Sequence, residues 1–473
     1  MAECAGRAEC RIICFLPFST RKAAFLCIFL CLPGIDFIRA PISNIRIKSP
    51  LSAKTNRDIL YPFQIHNQDF FRRIYMNRPQ HAAARSLTSL YCLHQAAYYF
   101  AIGGLGAFAV TYLTSRGFSS SVVGIILATT NILSFLLQPV IGSHADKTSI
   151  AWLQKILPRF IFVALASLTA VEFLALPQAL TAFLYIAGYL AFSITTPLYN
   201  PLCAYYSQHG HHINYGAGAG VGSLAFSFAS LTFGFIIARL GTRAMMLVVF
   251  AFLVLLLVFM LRYPEIKPEK AASSLGQQKS LSMFAFAKRY KLFMVTMLGV
   301  ICLAACHAMA ENFMIHQFSR MGGGSENVGI ALFLACTMAA PVSLVFERIQ
   351  RHISIVLLMR LSGFFYILKA VLFIFASSIV SIYLIELLQV CTYAFLYPSL
   401  YYLVIRRIQP EDMAKGQTLA SSMFTLGMAL GNSLGGIAIE HFGLEMMFVL
   451  AACIAGIGTL LVNLCVAKKD APV

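Results

Sequence analysis

The chain reads as an all-α membrane protein of twelve transmembrane helices arranged as two six-helix repeats, and three observations predict it. Only 11% of its 473 residues are charged while 59% are hydrophobic, with a mean hydropathy of +0.77; a soluble protein carries about 25% charged residues. The apolar residues come in runs of the ~20 residues that a helix needs to cross a ~30 Å hydrocarbon core. The basic residues gather in alternate loops between those runs.

The runs fall near 87–114, 121–142, 156–176, 180–206, 216–238, 244–262, 292–318, 326–346, 355–377, 379–404, 415–439 and 444–466, here called spans 1 to 12. They are hydrophobic all round, as lipid-exposed helices are, whereas barrel strands are about ten residues long with alternating polarity. A polar stretch from Tyr263 to Lys291, with Pro264 and Pro268, separates six spans from six. The expected organisation is an N-terminal bundle over 76–262, a cytoplasmic linker over 263–291 and a C-terminal bundle over 292–473. Residues 1–75 hold 11 of the 36 basic residues and five of the thirteen cysteines. Their one apolar run, Ala23 to Leu32, is too short to span. They read as a disordered or spurious extension, with Met76 as the start.

Counted with the residues just inside the flanking span ends, twenty Lys and Arg lie on the side of the Met76 tail and the middle loop, against four on the other side. The positive-inside rule then places both termini in the cytoplasm of a cell whose inner, or plasma, membrane holds the chain. It also accounts for the formal charge of +18 without nucleic acid as a partner. The expected partners are the lipid bilayer and a small-molecule substrate, with the chain monomeric. The cysteines show no CxxC pair, so neither a metal nor a disulfide is expected, and the only coupling species is a proton.

Two sequence echoes relate the halves. Gly234 to Gly241, leading to Met245-Met246, matches Gly436 to Gly443, leading to Met446-Met447; Ser115-Arg116 followed by Val123-Gly124-Ile125 matches Ser319-Arg320 followed by Val328-Gly329-Ile330. Repeats of this kind are the layout of alternating-access carriers, which hold substrate near the midplane between halves. Four glycines in span 5, Gly216, Gly218, Gly220 and Gly222, make two small-xxx-small faces for close packing.

At the end of span 2 stands Gly142-Ser143-His144-Ala145-Asp146-Lys147. Gly142, Asp146 and Lys147 resemble the cytoplasmic gating-loop signature of the major facilitator superfamily, although Thr148 and Ser149 replace its usual Gly and Arg. Tyr215-Gly216 before a Gly-rich span 5, Ala340-Pro341 in span 8 and Gly416-Gln417 opening span 11 are similar to its lactose-permease and nucleoside-symporter side. The resemblance implies the major facilitator fold and proton-coupled uptake. It does not imply lactose, because Gln208 and Ala219 fall where the permease carries its sugar-binding ion pair.

An ionised side chain inside a span costs about 2.5–3.5 kcal/mol on insertion scales, so each one asks for a reason. At 1.5 Å per residue, Glu311, Lys369 and Glu386 all lie about 10–12 Å below one membrane face. Lys369 and Glu386 are expected to pair, leaving Glu311 as the proton site, with His307 one turn away to relay or hydrogen-bond. Glu172 reads as structural or vestibule-facing. Neutral hydrogen-bonding groups mixed with tyrosines suit a neutral polar ligand, and Gln95, Tyr98, Asn200, Gln389 and Tyr393 are the expected substrate contacts. The function expected is proton-coupled symport of a small neutral polar solute such as an oligosaccharide or nucleoside. The alternative is a proton-coupled exporter of amphipathic compounds; an enzyme is not expected.

Overall fold

The computed structural model describes residues 78–145, 150–199, 202–203, 206, 213–264 and 283–466. Among them every regular element is a helix. That follows from the solvent: in hydrocarbon a backbone must satisfy its own polar groups, and a helix does so within one segment.

In the first half, α1 (Arg78–Ile102) runs into a π segment, Gly103–Ala107, and α2 (Ala109–Ser115), followed by α3 (Ser120–Ala145), α4 (Ile150–Phe173) and α5 (Gln178–Ile194). The glycine-rich π segment bends the first span by 52°. Asn214 caps α6 (Tyr215–Leu261), its side chain accepting from the Ala217 N–H. The second half holds α7 (Met283–Arg289), α8 (Lys291–Asn312), α9 (Met314–Arg320), α10 (Ser325–His352), α11 (Ile355–Ile374), α12 (Ile379–Glu386), α13 (Tyr393–Arg407) and α14 (Met413–Val466). Eight helices among the described residues are long and apolar enough to cross a membrane, or nine if the bent pair in span 1 is one crossing.

The twelve expected segments map onto fewer helices for a physical reason. Spans 5 and 6 lie in α6, which breaks at Gly241 (φ 82°), and spans 11 and 12 lie in α14, which breaks at Gly443 (φ 84°). A positive φ is a conformation that glycine adopts without the Cβ clash of other residues, so the chain reverses there without an intervening loop. Gly117 and Gly322 also take positive φ. These four glycines are two matched pairs: Gly241 and Gly443 close one echo, while Gly117 and Gly322 follow Ser115-Arg116 and Ser319-Arg320 of the other.

Missing side chains let helices touch backbone to backbone. A Cβ placed on Gly234 would lie 2.9 Å from Gly329 Cα, and one on Gly436 would lie 3.1 Å from Gly124 Cα. So α6 crosses α10, and α14 crosses α3, each joining one half to the other through the glycines of the echoes. The same end carries hydrogen bonds between halves: Ser325 Oγ donates to Gly234 O at 3.1 Å, the Ser121 N–H donates to Glu440 at 2.8 Å, and Ser120 Oγ lies 3.4 Å from His316 Nε2. In span 5 only one expected glycine face is used for close packing. Gly218 and Gly222 seat the rings of Tyr91 and Tyr99, while Gly220 meets open space.

Candidate functional site

Three helices of the second half converge on Lys369. It donates to Glu311 Oε1 on α8 at 2.6 Å, to Glu386 Oε2 at the end of α12 at 3.0 Å, and to Gln389 Oε1 at 3.1 Å. Glu311, Lys369 and Gln389 are buried and Glu386 is fully so. An ammonium has three donors, and here all three are in use. The expected pairing of Lys369 with Glu386 alone therefore gives way to a shared cation, and Glu311 is not free. The reason is packing: α14 presents Gly427 and Gly431 to the α8 backbone at Ile301 and Ala305, which fixes α8 and with it the facing of Glu311.

His307 also departs from expectation. Its Nδ1 lies 3.9 Å from Glu311 Oε1, too far for a hydrogen bond. Its ring stacks on Tyr393 instead, with centroids 5.3 Å apart. Tyr393 stacks in turn on Tyr397 at 5.3 Å, and Phe424 meets both tyrosines edge-on. A ring wall thus stands beside the charged cluster.

Span 10 is broken at this cluster. Helix α12 ends at Glu386, a 3-10 turn covers Leu387–Val390, and α13 starts only at Tyr393. Side chains hold the break: Thr392 Oγ1 lies 3.1 Å from Gln389 Oε1, and Ser362 Oγ on α11 donates to Thr392 O at 2.8 Å. Interrupted helices with side-chain partners for the freed backbone are how membrane carriers build ion sites at depth. Ser362 and the break were not legible in the sequence, since span 10 has no glycine and its Pro398 lies beyond the interruption.

The first half places its polar groups differently. His94 is completely buried, its Nδ1 3.3 Å from the Tyr263 hydroxyl. Gln95 Nε2 donates to the Tyr91 hydroxyl at 3.0 Å and its Oε1 has no hydrogen-bond partner among the described residues. Tyr98 is sealed inside the half, hydroxyl to Thr196 and ring stacked on Phe192 at 4.6 Å. Its neighbour Tyr99 meets it edge-on at 5.5 Å and lies over Gly222. Tyr199, Tyr98 and Tyr99 thus form a run of rings in the first half, and Tyr393 and Tyr397 a stacked pair in the second. Asn200, Asp146 and Lys147 lie outside the described residues; Gly142 lies in the last turns of α3.

Glu172 is neither deep nor free. Its side chain is 2% exposed and accepts from the Tyr112 hydroxyl at 2.9 Å, with Arg116 bonded to the same oxygen and Arg243 at 3.7 Å from the other. Arg116 is visible in the sequence as part of an echo, but its partner is not.

The chain matches the MFS_1 like family over residues 87–450. It belongs to that family. A sequence comparison with curated proteins finds no match. Among solved structures, it is similar to the nucleoside transporter NupG at 18% identity and TM-score 0.66, over 82% of this chain and 100% of that one. A mutant of the same transporter gives 17% identity and TM-score 0.67, over 80% and 100%. A bacterial homolog of the human lysosomal transporter Spinster, inward-facing and unoccupied, gives 13% identity and TM-score 0.61, over 83% and 99%. At these identities the likeness shows the fold. The MFS_1 like chain is thus a multi-pass membrane protein and a transporter of the major facilitator type, whose family and structural neighbours are transporters rather than enzymes.

Proposed function

We propose that this transporter is a proton-coupled symporter that imports a small neutral polar solute, an oligosaccharide or a nucleoside, by alternating access. The observation that carries the reading is the buried cluster of Glu311, Lys369 and Glu386, set beside the ring wall of Tyr393, Tyr397 and Phe424. Charges kept at depth in a membrane protein mark ion or substrate pathways. The hydroxyls and amides near these rings, including Gln95, Gln389 and Tyr393, suit a polar ligand with ring faces to cover. The similarity to NupG, a nucleoside transporter, favours the nucleoside half of the reading.

The architecture proposed is twelve spans in two six-helix repeats, over 76–262 and 292–473, with 263–291 as the linker. Its support is the matched glycine pairs, and two helices of 47 and 54 residues that reverse at Gly241 and Gly443. Both termini are assigned to the cytoplasm of the inner, or plasma, membrane, and the chain to a monomer. The glycine crossings then sit at the outer face, so this conformation is closed to the outside. Gly142, Asp146 and Lys147 are assigned to the inner gate.

The test uses de-energised cells expressing the full chain in weak buffer. Pulses of oligosaccharides, nucleosides and aromatic acids are added while external pH is followed. Alkalinisation with one class is expected, and it would name the substrate. Glu311→Gln is expected to abolish uphill uptake while sparing exchange of internal for external substrate. No pH change with any class, together with raised dye resistance of growing cells, would replace this reading by export of amphipathic compounds.

A further inference from the structure

The cluster around Lys369 has unequal charge. One ammonium faces two carboxylates, within 2.6 and 3.0 Å, in a place where none of the three is more than 9% exposed. Two ionised carboxylates would leave one negative charge in the protein interior, and an uncompensated buried ion is strongly penalised because it gives up its hydration. The neighbours do not supply the missing positive charge. On α8 the facing groups are Glu311 itself, His307 and Cys306; on α11 they are Lys369 and Tyr366; on α10 the facing group is Cys336. Only His307 among the uncharged ones could become a cation, and it makes no hydrogen bond to the cluster through Nδ1.

The two carboxylates are not equivalent. Glu311 Oε1 takes the shorter bond from Lys369, 2.6 Å, as a charge-assisted contact does. Glu386 takes the longer one, 3.0 Å, on Oε2, and its Oε1 is buried with no donor within reach among the described residues. An ionised oxygen left without a donor in a dry site loses its whole hydration. A proton on that oxygen removes the charge and leaves Oε2 as a neutral acceptor for Lys369.

We propose that the cluster holds one exchangeable proton per chain, carried on Glu386 Oε1, while Glu311 stays ionised against Lys369. Glu386 is also the last residue of α12, at the break in span 10, so the proton sits at the joint between two helical segments. When it leaves, Glu386 becomes a full competitor for Lys369 and the two pieces of the span are drawn differently toward α11. Proton loss and bending of span 10 are then one event. This inference rests on the symport reading for its role in transport, but the location of the proton does not.

The experiment records infrared difference spectra of the full-length protein in liposomes at neutral pH, with glutamate carboxyls labelled with carbon-13 and in light or heavy water. Exposed carboxyls titrate near pH 4 and are silent as acids there. The wild type is expected to show one protonated glutamate carbonyl, shifted by the label and by deuterium. With the charge-preserving change Glu386→Asp, the acid band is expected at the unlabelled position, because aspartate carries no label. With Glu311→Asp it is expected to keep the label shift. Glu311→Gln removes the excess negative charge, and the band is expected to disappear. No acid band in the wild type, or a band that keeps the label shift in Glu386→Asp, would overturn the assignment, and the wild-type measurement stands even where a variant folds poorly. A band on Glu386 with no substrate-driven pH change would sink symport and keep the proton site. Alkalinisation with no band would do the reverse.

Discussion

The two halves of this transporter hold different groups in their interiors. In the first half the buried ion cluster is at the rim, where Glu172 holds Arg116 and Arg243, and the interior is neutral: His94, Gln95, Tyr98 and Tyr199. In the second half the matching rim carries an exposed pair, Arg320 with Glu445, the interior holds Lys369 with two glutamates, and a further buried carboxylate, Asp412 just before α14, lies beside Arg289. The positive-φ glycines fall at matched places of the two echoes, while the backbones differ where the π segment bends span 1 and a 3-10 turn breaks span 10. A neutral interior can bind a solute without moving charge across the membrane, whereas a charged one can exchange a proton. On the proposed reading, coupling belongs to the charged interior of the second half, while groups of both halves face the solute.

The sharpest way to break that division is to remove the cation. Lys369→Met leaves Glu311 and Glu386 facing each other without a partner. Breaking a buried ion pair by deleting one member costs about 3–5 kcal/mol, so the thermal midpoint of the purified protein in detergent is expected to fall steeply. Adding Glu311→Gln and Glu386→Gln to the same chain is expected to recover most of the loss, because a neutral buried set needs no cation. In the first half His94→Phe is expected to lower the midpoint far less, since His94 makes one long hydrogen bond there. A small loss from Lys369→Met would mean that water reaches the cluster, and the contrast between halves would fail.

Much of this frame was legible in the residues. The apolar runs and the three charges at one depth follow from hydropathy and the rise of a helix. The glycine echoes pointed to the same places where the backbone turns or crosses. What could not be read was direction. Periodicity puts Glu311 and Lys369 at one level, but which way each faces is decided by how α8 lies on the glycines of α14, a contact more than a hundred residues apart in sequence. The sharing of Lys369, the turn of His307 toward Tyr393 and the capture of Glu172 by Arg116 all depend on such packing. The break in span 10 was hidden for another reason. It is held open by hydrogen bonds from Thr392 and Ser362, residues that are equally at home in an unbroken span.

The glycine crossings sharpen the comparison, because each half contributes one glycine to each. Gly436→Leu or Gly234→Leu would drive a side chain into the facing helix, with overpacking costs of about 1–3 kcal/mol in a rigid core. In a carrier that can open at this end, the strain is relieved by separation of the halves. Faster deuterium exchange is therefore expected in peptides covering Ser120–Ile126 and Ser325–Leu332, with little change around Lys369. The two substitutions are expected to act alike, since the crossings are matched. Unequal effects would show that one crossing closes the end and the other merely packs.

The smallest effects belong to the two rims, and they test whether burial sets the difference between them. Double-mutant cycles on thermal stability would compare Arg116–Glu172 with Arg320–Glu445. In the first pair the carboxylate is 2% exposed and also bonded to Tyr112, so about 1 kcal/mol of coupling is expected even with Arg116 partly in solvent. In the second pair the side chains are 51% and 60% exposed, and a few tenths of a kcal/mol is expected, vanishing in high salt. The sequence echo makes Arg116 and Arg320 counterparts, so identical residue types on one frame would differ only in what covers their partners. Equal couplings would mean that solvent reaches Glu172 as readily as Glu445. The first half would then have no buried charge at all, and the contrast between the halves would rest on Lys369 and its two glutamates alone.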